Sequence, residues 1–479
     1  MKARPFAAAL LLALPVAAPS RPPAATVPAD LASFVDGVMA QQIATRQVAG
    51  AVVTVVADGR VLFTRGYGHA DVERGLPVDA GTTLFRPGSV SKLFTWTALM
   101  QQVEAGRVDL DADVNTYLDF RIPPFEGKPI KVRDFLSHSP GMSDVGGFIV
   151  PTPDRIVPYG QWIKAHIPRR LWAPGTEVAY SNYGAALAGY IVERVSGEPY
   201  ADYAERHVFG PLGMTSSTFR EPLPTALAPR MATGYRWADG RLIAKPPEYL
   251  SSIMPAGSAT VSAPDMARFM LAMLNGGALG RARILQPASV RLLHADSLAN
   301  APGLPGMAHG FLVEREAKPR LVGHAGNTVD FHSDLVLAPE RGIGFFVSVT
   351  GGAQSSPART ELRDALIGRL FPEQPAPRWT GAETPAPAGH YRPNRRDYGE
   401  PADPAHDLVV RMPSAHLVTI ETEGATTAWE QIGPRLYQQV TGARPGGPYD
   451  RIGFYGTAAD PRLSLASQPY ETYHLVGAK

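Results

Sequence analysis

The chain contains no cysteine. That absence removes disulfides, thiolate catalysis, thiolate metal sites and the residue to which a bacterial lipoprotein attaches its lipid, so the chain must hold together by packing. Charge of one sign is also scarce. Lys plus Arg number 46 against 44 for Asp plus Glu, and no long run of either sign occurs, which argues against a nucleic-acid partner. No apolar stretch approaches the ~20 residues a helix needs to span a bilayer, so no membrane insertion is expected. There is no His-Glu-x-x-His, no histidine pairing suited to zinc and no Gly-x-x-x-x-Gly-Lys-[Ser/Thr] phosphate loop, so no metal, nucleotide or other cofactor is expected. A Gly-x-Ser-x-Gly elbow is missing as well, which argues against an α/β-hydrolase.

What is present is length and apolar content. The 479 residues, 44% of them hydrophobic, suffice for the cores of two domains. At the N-terminus Lys2 and Arg4 precede an apolar run over 6–14, and the small residues Ala17, Ala18, Ala24 and Ala25 follow. This is the pattern of a secretory signal peptide over 1–25, and with an Ala-, Arg- and Pro-rich composition it predicts a bacterial periplasmic or secreted protein.

Beyond the leader, 31–44 reads as an amphipathic helix, and 50–56 and 61–66 are β-rich runs joined through Asp58-Gly59. Near the other end, 328–337 and 343–350 form a second β-rich pair, followed by a helix over 357–370. The two ends predict one antiparallel sheet. Between them, 91–104, 183–195 and 263–274 have helical character, with Gly106, Gly197 and Gly276 near their exits. Pro372, Pro375, Pro377, Pro385 and Pro387 then crowd into a segment, 372–388, that neither helix nor central strand tolerates. It reads as a linker between a first domain over 26–371 and a small all-β domain over 389–479, whose short runs 416–421, 435–440, 451–455 and 470–475 are β-branched or aromatic. His390-Tyr391, Phe454-Tyr455, Tyr470 and Tyr473 are expected to fill the core of that domain, with a role in closing a site left open. The fold class expected is α/β (α+β), an antiparallel sheet flanked by helices, with a helical subdomain.

Three short patterns carry chemistry. In Pro87-Gly88-Ser89-Val90-Ser91-Lys92 a serine that opens a helix has a lysine on the same face at i+3, and a lysine whose pKa is lowered by burial can activate a serine hydroxyl. The helix N-terminus would aim free N–H groups at an anion forming there. By itself the pair reads more readily as an N-cap and a solvated first-turn lysine. Tyr180-Ser181-Asn182 sets a phenol and an amide just before another helix; alone they read as a core tyrosine and a cap. In Gly323-His324-Ala325-Gly326-Asn327, at the start of the penultimate β-rich run, small residues let a substrate approach the backbone, although a lone histidine is more often structural. His138 reads as a structural or supporting histidine.

Ser89-x-x-Lys92, Tyr180-x-Asn182 and His324-x-Gly326, in that order, resemble the three motifs of the serine β-lactamase and penicillin-binding-protein-like hydrolases, and more narrowly the class C β-lactamase branch with its esterases and D-amino-acid peptidases. Intervening text adds to the resemblance, which spans about 30 to 370: 84–88, 134–142, 209–214 and Pro255-Ala256-Gly257-Ser258. It implies an acyl-enzyme mechanism, with Ser89 as nucleophile and Lys92 and Tyr180 sharing a proton relay. The backbone N–H groups of Ser89 and Asn327 would form the oxyanion hole, and Asn182, His324 and Gly326 would line the substrate site.

The departure lies in the third motif, where β-lactamases and transpeptidases usually carry Lys-Thr-Gly. Histidine, with a pKa near 6.5, is mostly neutral at pH 7 and grips a carboxylate poorly. The substrates expected are therefore small esters, or amides and peptides of D-amino acids. The alternatives are a β-lactamase or DD-carboxypeptidase, and a penicillin- or peptidoglycan-binding sensor that is acylated without turnover.

Overall fold

The computed structural model describes residues 26–477 apart from 46, 353, 383 and 423. The expected signal peptide lies outside the described residues.

The strand Gly50–Ala57 is buried along its whole length, as its run of Ala and Val permits and as a strand covered on both faces requires. Asp58 and Gly59, both at positive φ (52° and 76°), turn it tightly into Arg60–Asp71. Its other neighbour comes from the far end of the sheet-forming region, where Ile343–Thr350 runs antiparallel with Val53 opposite Val347. From there the sheet continues through Phe331–Ala338, Leu321–Asn327 and Leu312–Arg315 to short edge strands. The runs near 50–71 and 321–350 thus meet in one antiparallel sheet of nine strands.

Alternation along the central strand divides the cores. Val53 and Val55 face the helices Leu31–Ala44 and Ser355–Leu370, whereas Val52 and Val56 face the helical region. In that region Ser91–Glu104 is buried on nearly all sides, as a helix at the centre of a large core must be. Phe94 packs edge-on against Phe209 and Phe269 at centroid distances of 5.0 and 4.7 Å.

One boundary differs from the sequence reading. The His-Ala-Gly segment does not begin the run that ends at Ala338; it lies on a separate strand, Leu321–Asn327. Thr328 makes the break, because its hydroxyl accepts the backbone N–H groups of Asp330 and Phe331 and closes a turn that hydrophobic alternation does not register.

The described residues of 372–388 carry no helix or strand, yet they lie along the C-terminal region, with the Trp379 backbone N–H donating to the Gln431 carbonyl at 2.8 Å. That region is a closed barrel of eight strands running from Gly389–Pro393 to Tyr473–Gly477. Tyr391, Phe454 and Tyr473 fill its core together with Trp429 and Tyr437. Tyr470 does not join them. It leaves the barrel and reaches the cavity described next.

Candidate active site

Ser89 sits on a short 3-10 turn, Gly88–Val90, that runs directly into the helix Ser91–Glu104, so the serine precedes the α-helix that it was expected to open. Gly88 has φ +54°, and a Cβ there would meet the backbone nitrogen of Asn327 at 2.8 Å. Gly326 is the counterpart on the strand. A Cβ on it would collide with the Pro87 carbonyl and lie 2.9 Å from the Ser89 nitrogen. Two missing side chains therefore let the strand lie directly on the turn, with the amides of Ser89 and Asn327 at the same narrow gap. Gly326→Ala is expected to force the strand away and lower kcat/KM on a small ester about 100-fold. Steady-state kinetics on a variant with an unchanged circular dichroism spectrum checks this, and wild-type activity would show that the strand can retreat without affecting the reaction.

Lys92 has no solvent exposure. Its Nζ lies 3.0 Å from Ser89 Oγ, 2.8 Å from Asn182 Oδ1 and 2.7 Å from the Ala256 carbonyl oxygen. Burial, with the Arg395 guanidinium second, holds its pKa well below the ordinary lysine range. Asn182 starts the helix Asn182–Ser196, where Ser181 caps the Gly184 N–H at 2.9 Å. Ala256 stands on the turn Met254–Gly257, which Thr95 ties to the nucleophile helix by donating to the Pro255 carbonyl at 2.6 Å.

The Tyr180 ring lies 4.8 Å from Lys92 Nζ, and its hydroxyl is buried without a hydrogen bond of regular geometry. Burial pushes the phenol up, while the neighbouring Ser89 hydroxyl and the Arg395 guanidinium pull it back. His138 stacks on this ring at 4.2 Å and accepts the Ser181 N–H on Nδ1 at 3.1 Å, which places it beside the site in a supporting position. His324 is buried, its Nδ1 faces the Ala325 carbonyl, and burial lowers its pKa to about 3. It is therefore uncharged throughout the neutral range. Asn327 turns its side-chain oxygen to His332 Nδ1 at 2.8 Å.

Ser89, Tyr180, Asn182, His324 and Asn327 line a cavity of about 260 Å3, small beside the ~300–1,000 Å3 of sites that enclose drug-sized ligands, with Lys92 packed behind Ser89 and Asn182. Phe148, Leu250, Ile253 and Leu312 give it apolar walls. The motif residues come together at or directly behind this cavity, and two further kinds of participant stand outside the motifs. The Ala256 carbonyl is a backbone group and has no signature in residue identity, although the segment around it is part of the family-like text. Arg395 and Tyr470 lie on connections between strands of the C-terminal barrel; the sequence leaves a site-closing role open for Tyr470, but nothing in local pattern links Arg395 to a serine some three hundred positions earlier. Among the described residues no helix is long and apolar enough to cross a membrane.

Comparison with known proteins identifies the family and the fold. The β-lactamase family model matches residues 35–369. A putative penicillin-binding protein, PbpX, of Bacillus subtilis is 31% identical over 230 residues, covering 46% of this chain and 54% of that protein, so the chain spans about half the length of this curated relative. Among solved structures, the octameric penicillin-binding protein homologue from Pyrococcus abyssi superposes with a TM-score of 0.61 at 22% identity, covering 92% of this chain and 99% of the other. The D-amino acid amidase from Ochrobactrum anthropi superposes with a TM-score of 0.58 at 25% identity, covering 72% of this chain and 98% of the other. A family match across most of the chain, on a fold that gathers Ser89, Lys92, Tyr180 and Asn182 around one cavity, means that this protein belongs to the β-lactamase family of serine hydrolases.

Proposed function

We propose that the chain is an exported serine hydrolase that cleaves small esters, or amides and peptides of D-amino acids, through a covalent acyl-enzyme on Ser89. The observation that carries this reading is the set of partners around Lys92. A neutral amine has two N–H donors and one lone pair. Asn182 Oδ1 and the Ala256 carbonyl can only accept, so they take the two N–H groups and leave the lone pair for the Ser89 hydroxyl, 3.0 Å away. The same three partners would satisfy an ammonium with Ser89 Oγ accepting, and it is burial that favours the uncharged form.

In this mechanism the Ser89 oxygen attacks the substrate carbonyl carbon as its proton passes to the Lys92–Tyr180 relay. The amides of Ser89 and Asn327 receive the negative charge that develops on the carbonyl oxygen, and losing one such donor typically costs about 3 kcal/mol of transition-state stabilisation. Collapse expels the alcohol or amine, which takes the proton back. Water then repeats the sequence on the acyl-enzyme and releases the acid. Asn182 holds both Lys92 and the substrate carbonyl, and His324 and Gly326 line the wall against which the substrate lies.

Substrate choice follows from size and charge. The cavity suits a small acyl group, and His324 brings no positive charge to the third motif. A p-nitrophenyl ester and a D-alanine p-nitroanilide are therefore expected to turn over at least tenfold more efficiently than a chromogenic cephalosporin. Labelling with a fluorophosphonate, followed by peptide mass spectrometry, should place the adduct on Ser89. Efficient cephalosporin hydrolysis would overturn the substrate assignment, and an adduct on any other residue would overturn the nucleophile.

A further inference from the structure

Tyr180 is gripped by the barrel as well as by the helical region. Its backbone N–H donates to the Tyr470 carbonyl at 3.0 Å, and just upstream Asn394 donates to the Val178 carbonyl at 2.9 Å while Arg462 and His474 each meet Glu177 at 2.9 Å. On this clamped segment the Arg395 guanidinium lies 4.6 Å from the centre of the Tyr180 ring and lines the same cavity as Ser89. Its ion pairs are long and single-contact, 3.3 Å to Asp144 and 3.5 Å to Glu471, whereas a guanidinium serving only to dock two surfaces would be expected to make close bidentate pairs.

We propose that Arg395 is a positioning residue of the reaction, a cation that the C-terminal barrel delivers to the Ser89–Lys92–Tyr180 relay, so that the barrel is a working part of the active site. The proposal rests on the hydrolase reading above. Its basis is the charge around the relay. The groups facing Tyr180 and Lys92 are the cation Arg395, the carboxylate of Asp144, the phenol of Tyr470, and His138 and His324, both buried and held in their neutral forms. Arg395 is therefore the one fixed positive charge among these groups. Close to Tyr180 it favours the phenolate, and close to Lys92 it opposes the ammonium. Both effects favour the deprotonated relay, so the direction does not depend on which of the two groups removes the serine proton. Asp144 acts in the opposite sense on both groups.

That opposition provides the test. In kcat/KM for p-nitrophenyl acetate against pH, the rising limb reports deprotonation of the free enzyme's base. Arg395→Gln should move that limb up by about one pH unit, Asp144→Asn should move it down by a similar amount, and Arg395→Lys should leave it near wild type. Loss of a docking contact alone would act alike in both neutral variants, since each breaks the same Arg395–Asp144 pair. A limb that stays in place in Arg395→Gln, or shifts the same way in Arg395→Gln and Asp144→Asn, would overturn the proposal. Should Arg395→Gln fail to fold, the downward shift in Asp144→Asn and the wild-type limb in Arg395→Lys still decide it. A Ser89 variant measured on the same ester tells a failure of this inference from a failure of the hydrolase reading, because only the latter predicts that Ser89 is dispensable.

Discussion

Ser89→Ala is expected to reduce turnover of p-nitrophenyl acetate by about 10^4- to 10^6-fold and to abolish fluorophosphonate labelling, while the fold is kept. The effect is large because an acyl-enzyme has no other oxygen in the cavity so placed: the Ser89 hydroxyl is held by Lys92 at 3.0 Å beside the gap where the Ser89 and Asn327 amides meet. The fold should survive because Ser89 is only partly buried and its hydroxyl makes no link to a distant element beyond the relay. A thermal midpoint close to wild type, combined with lost turnover, is the expected pair of results. Wild-type turnover in Ser89→Ala would remove the nucleophile assignment, and the proposed chemistry with it.

The second large effect is expected at Lys92, where two substitutions separate a base from a mere positive charge. Lys92→Met removes the amine and should cost about 10^3- to 10^4-fold in kcat/KM. It also leaves Asn182 Oδ1 and the Ala256 carbonyl without their donor, and each unpaired buried acceptor costs roughly 1–3 kcal/mol, partly offset by the apolar methionine. Lys92→Arg keeps a cation but cannot lose its proton in the working range. If Lys92 serves as a base, Lys92→Arg should be about as inactive as Lys92→Met, whereas a role confined to attracting the oxyanion would leave it substantially active. The sign of the pH dependence follows from the same geometry. Because burial lowers the Lys92 pKa, activity should rise as pH rises through that lowered value, and the acid limb should lie well below the ordinary lysine range. His324, with its pKa near 3, should add no inflection close to neutrality.

Much of the scaffold could be read directly from residue order. The hairpin through Asp58-Gly59 and the helices Leu31–Ala44, Ser91–Glu104 and Ala263–Leu274 are local structures, set by periodicity, turn chemistry and capping that lie within a dozen residues of one another. The barrel was less legible. Its strands Ala425–Gly433 and Pro461–Leu465 are mixed in polarity and partly solvated, so their alternation is weak and what holds them is pairing with neighbours on both sides. The break between the strand carrying His324 and the next run leaves no mark in hydrophobic pattern, because the turn at Thr328 is made by a side-chain hydroxyl bonded to the backbone.

By itself the sequence determined the identity and spacing of Ser89, Lys92, Tyr180, Asn182 and His324, the β character of the runs at the two ends of the first domain, and the replacement of a charged third-motif residue by histidine. These depend on residue type and short-range order. Tertiary structure alone decided that Lys92 is buried against two acceptors, because its environment is assembled from Asn182 and Ala256, far along the chain. Tertiary structure also brought Arg395 and Tyr470 from the barrel to Tyr180. The acidity of a buried amine or phenol depends on which charges surround it in space, and separation along the chain holds no record of that.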